Sequence, residues 1–153
     1  QTHGGSLTVK DFENYQAEWV TPIAQHYRGY TLHEIPPNGQ GIAALIALGI
    51  LENFDLSALK VDGVDSQHLQ IEAMKLAFAD VYRYVAEASA MEVTPAQMLD
   101  PAYLKSRAKL IDMKKAQDFG AGNPRVELAP LRRGARSRAA GGCLSAGCTD
   151  CRR

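Results

Sequence analysis

The chain has 153 residues, 46% of them hydrophobic and 7% aromatic, with 17 basic and 17 acidic side chains. That composition supports a folded core and argues against disorder of the whole chain, and the longest apolar run, 42–51 with Gly49 inside it, is too short to span a membrane. The zero net charge hides an asymmetry: residues 125–153 carry seven arginines against Glu127 and Asp150, so they hold +5 and residues 1–124 hold −5, and a mildly acidic body does not suggest a nucleic-acid binder.

In chain order, Gln1-Thr2-His3-Gly4-Gly5 is polar, with neither an initiator Met nor a signal-peptide pattern, and reads as a cut or processed end with an upstream segment missing. Thr8 with Asp11 three residues on predicts a capping-box start to a short helix over 9–15. Aromatic and β-branched residues over 18–35 predict two strands, broken near Arg28-Gly29 or before Tyr27. Pro36-Pro37-Asn38-Gly39 ends them, because proline cannot donate to a ladder. A helix over 41–53 follows, apolar on nearly every side (Ile42, Leu45, Ile46, Leu48, Ile50, Leu51), which predicts burial between layers.

Asp65 or Ser66 is the expected cap of the longest helix, running to about Ala86, with Leu69, Ala73, Leu76, Ala77, Asp80, Val81 and Tyr84 at three- and four-residue steps. Thr94-Pro95 and Asp100-Pro101 each place proline at a first helical position, the second helix reaching about Asp112. Lys114 to Gln117 reads as one further turn, and the pattern stops after Phe119-Gly120. Two strands have little independent stability, so the body expects more sheet than it contains.

His26, His33 and His68 share no metal-ligand spacing and read as ordinary strand and helix positions. Glu72 with Lys75, or Asp80 with Arg83, makes an i, i+3 pair of about 0.2–0.5 kcal/mol and reads as structural. Asn38-Gly39-Gln40-Gly41 precedes a helix N-terminus, where anions bind, but has no G-K-[ST] and reads as a plain loop. Cys143, Cys148 and Cys151 form C-x4-C-x2-C without a fourth ligand, which argues against an iron–sulfur or zinc site. The body has no cysteine, hence no disulfide framework.

Five blocks carry a resemblance. They are Gly4-Gly5-Ser6-Leu7-Thr8 with Asp11 and Tyr15; Pro22-Ile23 with Tyr27-Arg28-Gly29-Tyr30; and Pro36-Pro37, Gly41 and Ile50-Leu51-Glu52-Asn53-Phe54-Asp55. The fourth is His68-Leu69, Glu72-Ala73-Met74-Lys75 and Ala77-Phe78-Ala79-Asp80, and the fifth is Pro101-Ala102-Tyr103-Leu104, Ile111-Asp112 and Lys115-Ala116. In this order they resemble the C-terminal part of the large subunit of gamma-glutamyltranspeptidases, from His3 to about Asn123. Val81 stands where the family has Arg, and Ala86-Glu87-Ala88-Ser89 where it has a G-D-P turn, so a divergent branch with a different substrate preference is open.

The resemblance implies an α/β fold: part of an αββα N-terminal-nucleophile hydrolase sandwich, here mostly helices plus a two-stranded antiparallel segment. It implies a precursor that cuts itself to free the N-terminal threonine of a small subunit. That threonine's own α-amine, with a pKa of about 7.7–8.0, then serves as base. The parent enzyme would be a gamma-glutamyltransferase or glutathione hydrolase, passing gamma-glutamyl groups through the threonine, periplasmic or secreted, with the small subunit as partner and a gamma-glutamyl compound as substrate. No residue of this chain is assigned as catalytic, substrate-binding or metal-ligating, no cofactor is implied, and neither a nucleic-acid partner nor a membrane span is expected.

Thr149, between Cys148 and Asp150, is the only threonine after Thr94 and does not resemble the family's cleavage site. The expectation is therefore a large-subunit segment over 1–123, inactive alone. Beyond it lies an irregular Arg/Ala/Gly/Cys-rich tail over 124–153, disordered or produced by a frameshift shortly after Asn123. The alternatives are a non-catalytic structural or interaction fragment, or a cephalosporin-acylase-like relative that shares the scaffold and acts on another amide.

Overall fold

A computed structural model of the chain describes residues 4–125, so the three cysteines and the tail beyond Arg125 lie outside the described residues. The first helix, α1 (Val9–Glu13), is two residues shorter than its pattern suggests. Its cap forms as expected: the Thr8 N–H and hydroxyl both donate to Asp11 Oδ2 at 2.7 Å. The side-chain bond, and then the backbone one, hold the Asp11 carboxyl below the usual carboxylate value. Every residue from Gly4 to Pro22 is exposed, Trp19 fully so. The stretch from Glu18 to Pro22 forms no strand: aromatic and β-branched residues extend only if a neighbouring strand pairs with them.

The strands are β1 (Ile23–Tyr27) and β2 (Tyr30–Glu34), antiparallel, with Ile23 opposite Glu34 and Tyr27 opposite Tyr30. The break falls at Arg28-Gly29. Both turn residues have positive φ, 49° and 86°, as the twist of a two-residue hairpin demands. Arginine is an unusual choice there. Its backbone N–H donates to Glu52 (3.2 Å) and its guanidinium to the Phe54 carbonyl (2.8 Å), which ties the turn to the end of the next helix. Gly29→Ala is expected to cost about 1–2 kcal/mol in urea unfolding, the penalty of a left-handed non-glycine residue.

Helix α2 (Gly41–Leu51) is the centre of the molecule. Ile42, Leu45, Ile46 and Ile50 have no solvent exposure. The helix packs against both strands and against helices α3 (Val64–Tyr84) and α5 (Pro101–Ala108), so most of it is buried, as its all-round apolarity predicts, with the face of Gly41, Ala44 and Leu48 only partly covered. Helix α3 begins before the expected cap residues. Gly63 occupies the cap position, and Ser66, inside the first turn, donates its hydroxyl to the Gly63 carbonyl at 3.0 Å. Its stripe of Leu69, Ala73, Leu76, Ala77, Asp80 and Val81 is buried.

The two proline-started helices form as expected. In α4 (Pro95–Met98), Gln97 N–H donates to Thr94 Oγ1, and the Gln97 side chain accepts from Thr94 N–H at 2.8 Å. In α5, Asp100 Oδ1 accepts from Tyr103 N–H at 2.9 Å. Helix α5 stops at Ala108, four residues short of expectation. Leu110 and Ile111 turn their N–H groups to the carbonyls three residues back, which tightens and ends the helix. The further turn expected around 114–117 is not helical: Asp112 caps Lys114 N–H, and the chain then runs without regular structure from 116 to 123. Among the described residues no helix is long and apolar enough to cross a membrane.

Candidate functional site

Chemistry-bearing side chains concentrate on one side of α3, under a strap of chain over 116–123. Asp80 is wholly buried and Glu72 is 1% exposed. Both lie on the apolar stripe of α3, so each needs a partner to stay ionised inside. Asp80 has three. Arg107 of α5, itself buried, places Nη2 3.1 Å from Oδ1; the Tyr103 hydroxyl donates to Oδ2 at 2.8 Å; and the backbone N–H of Gly122 donates to Oδ1 at 2.8 Å. Arg107 also donates to the Gly120 carbonyl at 2.8 Å, and Tyr84 to the Gly122 carbonyl at 2.6 Å. The Nε–H of Arg107 is the one buried side-chain donor among the described residues without a protein partner.

The second cluster is two turns nearer the start of α3. Glu72 Oε1 accepts from Lys75 at 2.8 Å and Oε2 from the backbone N–H of Gln117 at 3.2 Å, while Lys75 also donates to the Gln117 carbonyl. The Lys75 ammonium lies 5.4 Å from the centre of the Phe119 ring. Burial pushes the Glu72 carboxyl up, but the bonds from Lys75 and Gln117 and the lysine charge outweigh it and leave the group below its ordinary value of 4.5. Its contribution to stability is therefore complete at neutral pH and lost as pH falls through the depressed value. The protection factor of the Gln117 amide, with the intrinsic exchange rate divided out, should fall as pH drops through that depressed value, and Glu72→Gln should flatten that dependence. At Tyr103 burial comes first, then the Asp80 charge and the hydrogen bond to it, and together they push the phenol far above its usual range.

The pair Glu72–Lys75 is the one expected from spacing. Asp80 does not pair with Arg83, which instead lies 3.4 Å from Glu92 at the surface. The longer-range Arg107 wins because it reaches Asp80 inside the core, where Arg83, on another face of α3, cannot. Sequence patterns do not point to Arg107 or Gly122, and Tyr103 enters them only as a member of the fifth block. One signal was available: Arg107 falls on the stripe of Tyr103, Leu104 and Ala108, and a basic residue on an apolar stripe requires a buried acid.

Of the other candidates, His26 and His33 are exposed on the hairpin, while His68, one turn before Glu72 on the same side of α3, bonds the Asp112 carbonyl through Nε2 at 2.9 Å. At the start of α2 the Glu34 carboxylate already lies against Gly41, so the loop 38–41 presents its helix end to a side chain of the protein itself. No group of three or more potential metal ligands occurs among the described residues. The clusters hold backbone: their side chains bind the main chain of the strap.

The sequence pattern of gamma-glutamyltranspeptidase matches residues 1–135. The chain belongs to the gamma-glutamyltranspeptidase family. Among solved structures, it is similar to a cephalosporin acylase from Bacillus halodurans, with 48% identity and a TM-score of 0.73 over 80% of this chain and 22% of that one. It is similar also to gamma-glutamyltranspeptidase from Pseudomonas nitroreducens, with 30% identity and a TM-score of 0.67 over 76% of this chain and 36% of that one. Acylase ACY 1 proenzyme of Pseudomonas sp. (strain SE83) is 36% identical over 121 residues, 78% of this chain and 22% of its own length. The chain thus spans about a fifth of the curated relatives it matches. Its helices and short antiparallel sheet are part of the αββα sandwich of this gamma-glutamyltranspeptidase and acylase superfamily.

Proposed function

We propose that this chain is a segment of the helix layer of a self-processing amide hydrolase that stands nearer the cephalosporin acylases than the gamma-glutamyl transferases. The observation that supports this placement is the 48% identity to the Bacillus halodurans acylase, against 30% to the Pseudomonas nitroreducens transpeptidase. The substitutions at Val81 and over 86–89 fit a branch away from the transpeptidase pattern. In this reading residues 1–123 act as one scaffold unit, and the reacting groups belong to a small subunit that begins with the nucleophilic threonine. Among the described residues the buried acids Asp80 and Glu72 are already committed to Arg107, Lys75 and the strap. The same reading places the whole protein in the periplasm or outside the cell.

Two experiments test it. The purified chain should turn over neither gamma-glutamyl-p-nitroanilide nor glutaryl-p-nitroanilide, which lacks only the α-amine; turnover of either would mean that the segment itself carries the reacting groups. Residues 4–125 should also replace the matching segment of the Bacillus halodurans acylase precursor with self-cleavage retained and the glutaryl amide preferred. A chimera that folds yet stays one uncut chain would overturn the reading. A preference for the gamma-glutamyl amide would return it to the transpeptidase side.

A further inference from the structure

We propose that Glu72 and Asp80 act as a two-point register that fixes the path of the strap, and with it the places where Pro124 is buried and Arg125 meets Glu92 at 2.6 Å, and so aims whatever follows. The proposal rests on the functional reading above only for what the aimed segment is used for. The register itself is a property of this fold. The strap is unusual in what holds it. Among the described residues it makes no backbone–backbone hydrogen bond to a neighbouring element. Its main-chain groups are instead bound by side chains of α3 and α5: Gln117 N–H by Glu72, Gln117 carbonyl by Lys75, Gly120 carbonyl by Arg107, Gly122 N–H by Asp80 and Gly122 carbonyl by Tyr84.

Length makes the two carboxylates a ruler. From Glu72 to Asp80 the helix rises about 12 Å, at roughly 1.5 Å per residue. From Gln117 to Gly122 the chain can span at most about 17 Å. The strap therefore runs alongside α3, in the same direction, with only a few ångströms of slack. A slip of one residue moves it by about 3.3 Å, beyond the reach of an N–H···O bond, so both contacts would be lost together.

Sterics select the same register. A Cβ at Gly122 would overlap the Tyr103 hydroxyl and come within 2.9 Å of Arg107 Cδ, whereas Gly120 has nothing within 4 Å. Only a glycine fits over the Asp80 cluster. Two glycines separated by one residue therefore have opposite tolerances, which the two-point register explains.

Residue-resolved hydrogen exchange on the full chain tests this. In the unaltered chain the amides of Gln117 and Gly122 should be protected. Gly120→Ala should leave them so. Gly122→Ala should accelerate exchange at residues 117 and 122 by about tenfold or more while amides of α2 are unchanged, the pattern of local opening. Glu72→Ala should free both positions, although it touches only one, and Glu72→Gln, which keeps the acceptor, should restore protection at both. A protected strap in Gly122→Ala, or a Gly122 amide unaffected by Glu72→Ala, would overturn the register. Self-cleavage of the acylase chimera reads a different quantity, so failure there leaves this result standing.

Discussion

Replacing Arg107 by Met is expected to destabilise the chain by about 3–5 kcal/mol, because it strands the Asp80 carboxylate in the core. Asp80 has no solvent exposure to fall back on, and two neutral donors, Tyr103 and Gly122, do not offset a full charge. Urea unfolding followed by circular dichroism reads the loss directly. The double variant Asp80→Leu with Arg107→Met removes both charges and should recover most of that loss, since apolar pairs of similar volume often equal or exceed buried ion pairs. If the single variant costs under about 1 kcal/mol, the pair is solvated and the clusters do not hold the strap as described. The double variant should still free the strap, because the Asp80 acceptor is gone even where the fold is restored.

Truncating Ile46 to Ala is expected to cost about 2–5 kcal/mol, the range for opening a cavity in a packed core. Ile46 lies in the middle of α2 with no exposure, within the cluster formed with Leu69, Leu76, Met98 and Leu104. Trp19→Ala gives the contrast. A tryptophan would ordinarily rank among the most valuable core residues, yet Trp19 is fully exposed here, and its loss should change the stability of this chain by no more than about 0.5 kcal/mol. Equal losses from both substitutions in matched urea titrations would mean that residues 4–22 pack against the body.

Those two residues also mark what can be read from the sequence. Helix α2 was legible because its apolarity has no period, and only burial on most sides satisfies that. The capped starts at Thr8, Thr94 and Asp100 were legible because they are local: three residues decide them. The hairpin was legible, and its turn falls at the first of the two expected breaks, Arg28-Gly29; what stayed hidden was why arginine holds a left-handed position there, since the contacts that offset it come from Glu52 and Phe54, over twenty residues on. Strand character at 18–22 was misleading for the opposite reason, as nothing among the described residues pairs with it. The C-terminal half of the site was least legible. Asp80 and Arg107 are 27 positions apart, and i, i+3 spacing offered the nearer Arg83. The unbroken stripe on α5 was the only hint that Arg107 points inward. The expectations for 126–153, the C-x4-C-x2-C spacing and the frameshift among them, lie outside the described residues.

The strap has a consequence for how this protein can drift. A segment gripped by its own side chains constrains its own sequence, but this one is gripped mostly by its main chain, with Phe119 packed against the core and the Gln117 side-chain amide bonded to the Leu110 carbonyl besides. Most of the information that places residues 117–122 is therefore written elsewhere, in Glu72, Lys75, Asp80, Tyr84 and Arg107. Side chains at exposed Asp118 and Ala121 should exchange freely without moving the path of the chain, with Gly122 as the exception. Comparing variants by the strap's letters would suggest a region under little constraint, when the constraint has simply been moved onto two helices.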